Sequence, residues 1–182
     1  KKGYRNATVP EIARMAGLSV GGVYWYYKSK DEIVDAILER TFSQDLDMLA
    51  ELAETNTPAI DRLHAFVDSY ATSVEQWLPM NAIGIEFYGE ATHDPSVQAV
   101  ITRYLARYRE TLAALIEQGI ERGELRPVNA DDTAMVLLGL EEGLALLLSV
   151  DAQPARWQRC FKLGCGLLIE GLKCGNTNRD FA

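Results

Sequence analysis

Apolar residues recur every three or four positions along most of this chain, and no segment alternates in the period of two that a half-buried strand requires. From Thr57-Pro58 to about Trp77, the positions Ile60, Leu63, Phe66, Val67 and Tyr70 share one side of a helix. Pro79, which lacks an amide proton, is expected to break that run and leave a short helix from Met80 to about Thr92. Asp94-Pro95 opens a long helix to Arg122, closed by Gly123. Asn129 caps a further helix to about Val150, and Pro154 starts a last one to about Lys173. The pattern predicts an all-α chain.

Between Thr8 and Leu38, capping chemistry carries more information than long apolar faces. Thr8-Val-Pro-Glu11 is a capping box: the Thr8 hydroxyl accepts from the Glu11 amide while the Glu11 carboxylate reaches back to the Thr8 amide. Pro10 sits in the first turn, where a missing N–H costs nothing. The helix is expected to bury Ile12, Ala13 and Ala16 and to exit through a left-handed Gly17, with Leu18 filling the corner. Ser19 caps a second helix to about Tyr26. Ser29-Lys-Asp-Glu32 is a second capping box, opening a long helix from about Lys30 to Glu54. Two short helices joined by a tight Gly-containing turn, followed by a supporting helix, make a helix-turn-helix.

The second short helix has an unusual make-up. Val20, Gly21 and Gly22 occupy its first turn, and each glycine costs a helix roughly 1 kcal/mol against alanine. Side chains that small let a backbone approach a groove. Tyr24, Trp25, Tyr26 and Tyr27 follow in a row, and four consecutive helical aromatics cannot all face one core. Val23 and Tyr27, four apart, can share the buried side. That leaves Tyr24, Trp25 and Tyr26 partly outside, with hydroxyls and an indole N–H available to phosphate oxygens. Each aromatic taken alone also fits a core position; the ordered combination of cap, turn, small residues and aromatics is what points to nucleic acid.

Charge sharpens this picture. Residues 1–30 hold Lys1, Lys2, Arg5, Arg14, Lys28 and Lys30 against Glu11 alone, a local charge of +5 in a chain of net charge −8, which leaves −13 for the rest. A basic end on an acidic body fits a nucleic-acid contact confined to that end. With 182 residues, 48% of them apolar, the chain can build one or two domains with a sizeable core. Cys160, Cys165 and Cys174 are odd in number and contain no CxxC pair, so they read as reduced thiols of a cytoplasmic protein and not as a zinc site. Only two histidines occur, and no nucleophile motif, metal spacing or phosphate loop is visible. Neither catalysis nor a cofactor is expected. The most apolar stretch, Met135–Val150, is interrupted by Glu141 and Glu142 and reads as too polar to cross a membrane.

On Gly3-Tyr4, the Thr8 cap, Ile12-Ala13, Ala16-Gly17-Leu18-Ser19, Gly21, Tyr24, Tyr27 and Ser29-Lys30-Asp31, the sequence resembles the DNA-binding domain of the TetR family of bacterial transcriptional regulators. The resemblance implies an N-terminal helix-turn-helix DNA-binding domain over residues 1–42 and a helical regulatory, ligand-binding and dimerisation domain over residues 43–182. It implies DNA contacts through Thr8, Ser19, Val20, Gly21, Gly22, Tyr24, Trp25, Tyr26 and Lys30. Ser19 to Gly22 would meet base edges and adjacent backbone, the aromatics phosphates and thymine methyls, and Lys30 a phosphate. Val20 and Gly22 have no side-chain hydrogen bonds to give, so readout would lean on apolar contact and DNA shape. Family members carry a further helix before the Gly3-Tyr4 turn; this sequence starts at Lys1, without that helix or an initiator Met, which reads as a missing start.

The two most C-terminal helices are apolar on most sides and need more than one partner. The resemblance makes them a homodimer interface, with Gly139, Gly143, Gly164 and Gly171 allowing close approach. It also implies a ligand pocket without locating it, and an aromatic, slightly acidic lining would suit a small hydrophobic or cationic effector. Phe66, Tyr70, Trp77, Phe87, Glu90, Tyr104 and Tyr108 are the candidate lining, with His64, Glu86 and Arg107 as further polar anchors. The expected protein is a regulator, a repressor by default, that binds palindromic double-stranded operator DNA as a dimer and is released by a ligand. A helical dimeric protein-interaction module that has lost DNA binding is the alternative.

Overall fold

The computed structural model describes residues 7–174, the side chains of 41–45 excepted. Among the described residues eight helices follow one another: α1 Val9–Met15, α2 Val20–Tyr26, α3 Lys30–Glu54, α4 Ala59–Thr72, α5 Val74–Ala91, α6 Pro95–Glu121, α7 Ala130–Val150 and α8 Pro154–Leu172. Among the described residues the only extended pairing is one isolated antiparallel bridge, Leu125 to Lys173. The protein is all-α, as the periodicity predicts.

Most helices start on the caps read from the sequence. Thr8 Oγ1 accepts from the Glu11 amide at 3.4 Å, and Glu11 Oε2 accepts from the Thr8 amide at 3.2 Å. Ser19 Oγ accepts from the Gly22 amide at 3.0 Å and Asn129 Oδ1 from the Asp132 amide at 3.0 Å. Ser29 Oγ accepts from the Glu32 amide at 3.1 Å, but the returning arm of this box lands one residue early, on the Lys28 amide at 2.6 Å. Gly17 and Gly123, with φ of 70° and 69°, supply the left-handed exits of α1 and α6.

The chain forms two compact units, Lys1–Gln44 with Pro79–Leu105, and Asp45–Leu78 with Ala106–Ala182. In the smaller unit, Val9, Ala13, Val23 and Ile33 form one buried cluster, with Ile12 and Tyr27 packed against it. Val34, Leu38, Phe87, Val97, Val100 and Ile101 form a second. Ala16 and Leu18, expected inside, are exposed. The turn is held by backbone instead: the Leu18 amide donates to the Ala13 carbonyl at 2.9 Å, so no side chain is needed to plug it.

In the larger unit α8 packs against both α4 and α7. A Cβ on Gly164 would lie 2.9 Å from Leu140 Cδ2, so this glycine lets α8 close on α7 within one chain. The predicted break at Pro79 falls earlier, at Ser73, whose amide donates to the Ser69 carbonyl and whose hydroxyl donates to the Tyr70 carbonyl at 2.9 Å. Pro79 sits inside α5, which loses one intrahelical bond there and runs on. The start of α4 also differs. The Thr57 hydroxyl pairs with Thr55 at 3.1 Å, and the amide of Ala59 donates to the Glu124 carboxylate, 65 residues away in sequence.

That carboxylate belongs to a tightly built corner. Leu125, 1% exposed, fills the space beside Gly119, where a Cβ would come within 2.6 Å of Leu125 and 2.7 Å of Ala59. Arg62 is fully buried beside them; its Nη1 donates to the Ala53 carbonyl at 3.0 Å and to Gln118 Oε1 at 2.8 Å. Burial lowers the Arg62 pKa, nearby Arg122 adds to the effect and Glu124 opposes it.

Helix α7 departs from its sequence reading in one respect. Despite Glu141 and Glu142 it is long and apolar enough to cross a membrane by length and composition, with a mean hydropathy of 1.7 over its most apolar window. Here it serves as a core helix, with Ala134, Leu137, Leu138, Glu141, Ala145 and Leu148 buried. We expect Gly119→Ala, which forces a methyl between Ala59 and Leu125, to destabilise the protein by about 1–3 kcal/mol, read as a lowered urea midpoint.

Candidate functional site

Two regions hold the residues singled out by the sequence. The first is the helix-turn-helix. Helices α1 and α2 pack on each other, with Val23 the buried residue of α2 and Tyr27 half-buried at its end. The side chains between them point outward: Trp25 and Tyr26 are 73% and 71% exposed, and Val20 and Tyr24 are also open. The Trp25 and Tyr26 rings meet edge to face at 4.7 Å, which orders them as a pair. Thr8 and Ser19 are exposed and spend their side-chain oxygens on capping. Lys28 is exposed and Lys30 half-buried at the start of α3.

The two glycines of α2 differ. A Cβ on Gly22 would come 3.1 Å from Ser19 Oγ, so the cap itself favours glycine there. A Cβ on Gly21 would meet nothing within 4 Å. The protein's own packing gives no reason for that glycine. Further along the smaller unit, burial holds the Asp35 carboxyl above its ordinary value, opposed by Arg103 and reinforced by Asp31, Glu39 and Glu32. Lys1, Lys2, Gly3, Tyr4 and Arg5, which contribute to the predicted basic end and turn, lie outside the described residues.

The second region is an aromatic cluster in the larger unit. Tyr70 stands at its centre, 6.0 Å from Phe66, 5.5 Å from Trp77, 6.0 Å from Trp157 and 5.4 Å from Phe161 between ring centroids. Trp157 stacks on Phe161 at 5.0 Å and meets Trp77 edge-on at 4.9 Å. Tyr108 joins through Phe66 at 6.0 Å. Beside these rings is a narrow cavity of about 20 Å³, room for one water, whose lining includes Phe66, Tyr108, Glu141, Phe161 and Cys165. The Tyr108 hydroxyl donates to Glu141 Oε2 at 2.6 Å, with Tyr108 fully buried and Glu141 4% exposed. Burial pushes the Cys165 thiol up to about 12, and the neighbouring Glu141 charge adds to the rise.

Four of the seven predicted lining residues, Phe66, Tyr70, Trp77 and Tyr108, therefore meet in one cluster. Phe87, Glu90 and Tyr104 belong to the smaller unit, where Phe87 and Tyr104 are buried and Glu90 is half-buried. His64 pairs with Glu170 at 3.3 Å on the surface, and Glu86 and Arg107 are exposed. Sequence reasoning assigned no part in this site to Trp157, Phe161, Cys165 or Glu141. Their signal is an i, i+4, i+8 stripe in α8 and a carboxylate on the inward side of an otherwise apolar α7.

The outward sides of α7 and α8 are apolar as well. Met135, Val136, Leu146, Leu147 and Val150 of α7 are exposed, as are Leu163, Leu167 and Leu168 of α8. Gly139, Gly143 and Gly171 each have open space where a Cβ would stand.

Comparison with known proteins agrees with this architecture. Residues 1–37 match bacterial regulatory proteins of the tetR family, and residues 59–162, more than half of the chain, match the C-terminal domain of BetI-type transcriptional repressors. The chain belongs to the TetR family: it is a helix-turn-helix, DNA-binding transcriptional regulator. It is 28% identical over 156 residues to the HTH-type transcriptional regulator BetI of Cronobacter sakazakii, spanning 84% of this chain and 74% of that one. Among solved structures it resembles the transcriptional regulator FadR of Bacillus subtilis in complex with stearoyl-CoA, with a TM-score of 0.81 at 18% identity over 94% of this chain and 91% of that one. A putative transcriptional regulator of Saccharomonospora viridis in complex with choline superposes with a TM-score of 0.75 at 22% identity over 93% and 88%.

The thiols give a check on the aromatic region. Cys160 and Cys174 are exposed and Cys165 is buried with a raised pKa. In the native protein at pH 8 we expect an aromatic disulfide reagent to titrate Cys174 quickly and Cys165 only on unfolding.

Proposed function

We propose that this regulator is a cytoplasmic, non-catalytic repressor that binds a palindromic operator as a homodimer and leaves it when a small hydrophobic or cationic molecule binds the larger unit. The observation that carries the DNA reading is α2 itself. Gly21 is exposed, costs the helix about 1 kcal/mol against alanine, and is not required by any neighbour. Next to it stand Tyr24, Trp25 and Tyr26 with their rings outside. That combination suits a helix whose first turn lies against DNA, with Ser19, Val20 and Gly22 beside the bases. Thr8, Lys30 and the aromatics then reach the phosphates. Blocking a promoter needs only occupancy, which favours repression, as does the match to BetI-type repressors.

A second copy of the chain is the occupant we assign to the outward faces of α7 and α8. Two antiparallel helices with apolar residues outside and open glycines between them can pair with their own copy as a four-helix bundle. A two-fold dimer presents two reading helices, matched to half-sites one helical turn, about 34 Å, or a multiple of it apart. The effector acts to the extent that it prefers a form of the dimer with different spacing. A coupling of about 1–3 kcal/mol corresponds to a 5- to 150-fold change in operator affinity.

The aromatic cluster with its buried Glu141 supports an apolar or cationic effector, since ring faces and a carboxylate both favour positive charge. One structure of similar fold is in complex with choline and another with stearoyl-CoA, so the fold accommodates ligands of very different chemistry. Phe87, Glu90 and Tyr104 belong to the smaller unit and are left out of this proposed site.

Four measurements test this reading. Selection from random duplex DNA is expected to return a palindrome. On that site Gly21→Ala should raise stability by about 0.5–1 kcal/mol while lowering affinity at least tenfold; an affinity unchanged by the added methyl would remove DNA from the face of α2. Trp25→Ala should weaken binding on every sequence tested and flatten its salt dependence little, because it carries no charge. Leu167→Glu should turn a dimer into a monomer at micromolar concentration in sedimentation; persistence of the dimer would place the interface elsewhere.

A further inference from the structure

The aromatic cluster contains more polarity than its packing needs. Trp77 Nε1 and Trp157 Nε1 are both buried and neither has a hydrogen-bond partner. Trp157 is 4% exposed, so water does not reach its N–H in this form. Buried indoles ordinarily find an acceptor, because a donor stripped of water and left unmet is costly. The same cluster uses Phe66 and Phe161 where only a ring is wanted. The two indoles that carry these unmet donors are neighbours, with ring centroids 4.9 Å apart.

We propose that Trp77 and Trp157 form the polar anchor of a ligand site, their N–H groups donating to an oxygen acceptor on an otherwise apolar molecule. The acceptor is a carbonyl, ether or hydroxyl oxygen. Glu141, 4% exposed, lines the cavity beside Phe66 and Phe161, and disfavours an anionic ligand whose body reaches that cavity. The ligand class is therefore an uncharged or cationic compound bearing an oxygen, held by rings around its body and by the two indoles at its head. The cavity lined by Phe66 and Phe161 has a volume of about 20 Å³ and is lined by neither tryptophan, so such a molecule reaches the indoles by parting the aromatic side chains and binds weakly unless it fills the space it opens. This deepens the effector reading given above and rests on it for a regulatory role, though not for binding.

The test uses the chain's three tryptophans as reporters. Indole N–H resonances of the ¹⁵N-labelled protein are assigned with Trp25→Phe, Trp77→Phe and Trp157→Phe, and the exposed Trp25 serves as the internal control. The protein is titrated with acetophenone, cumene and α-methylbenzylammonium, which share a ring and branching but carry a carbonyl, a methyl and an ammonium in turn. Acetophenone is expected to move the Trp77 and Trp157 signals downfield and leave Trp25 in place. It should bind at least fivefold more tightly than the other two. Trp77→Phe and Trp157→Phe should each erase that advantage. Equal binding of all three probes, a response confined to Trp25, or no binding at all would overturn the proposal. Acetophenone binding as expected with no change in operator affinity would leave the anchor standing and remove its regulatory role.

Discussion

An α-helix leaves the amides of its first turn and the carbonyls of its last without partners, and in an all-helical chain the way those groups are met decides where every element stops. Here the solutions are mostly local. Thr8, Ser19, Ser29, Asp94 and Asn129 each lie just before a helix and accept from amides two or three residues on. The short helices α1 and α2, seven residues each, could not persist on propensity alone. Their caps, the left-handed Gly17 and the small cluster of Val9, Ala13, Val23 and Ile33 hold them, and that hold presents the aromatic run to solvent. In the larger unit the same need is met across the chain, where Glu124 takes the first amide of α4 and Arg62 takes a carbonyl near the end of α3.

This division between near and distant partners explains what the sequence revealed. The helix-turn-helix was legible because each of its caps spans no more than four residues and its buried side, Val23 and Tyr27, follows from helical spacing. The boundaries of α6 and α7 were legible for the same reason, and the start of α8 from Pro154 in its first turn, with no side-chain cap. The start of α4 was not, since Thr57 looks like a cap and the true acceptor lies 65 residues away. Pro79 misled because a proline near a boundary marks a break only when nothing nearer ends the helix, and Ser73 does so first. The aromatic site was half legible. Phe66, Tyr70, Trp77 and Tyr108 come from helices whose inward sides could be read, whereas Trp157 and Phe161 lie on α8, which is apolar on most sides, so that its pattern does not single out the stripe that faces inward. Phe87 and Tyr104 have the right residue type and belong to a different unit.

Helices α7 and α8 each serve two surfaces at once. Toward the inside they give Glu141, Trp157, Phe161 and Cys165 to the aromatic region; toward the outside they present leucine, valine and open glycine. Such double duty requires apolar residues nearly all round, and it accounts for a hydropathy that reaches the range of membrane-spanning segments. The one buried carboxylate in α7 is tolerated because Tyr108 donates to it, and a buried charge with a good partner costs far less than one without.

The order of synthesis turns this property of α7 into a demand on the cell. When Ala130–Val150 leaves the ribosome, α8, against which it packs, has not yet been made, and a helix of membrane-like composition emerges with the side that α8 covers still bare. At translation rates of about 5–20 residues per second, the gap before Leu172 appears is on the order of one to several seconds. During that interval the nascent chain presents the kind of segment that chaperones and membrane-targeting factors compete for, so the yield of this regulator depends on how fast its last helix arrives.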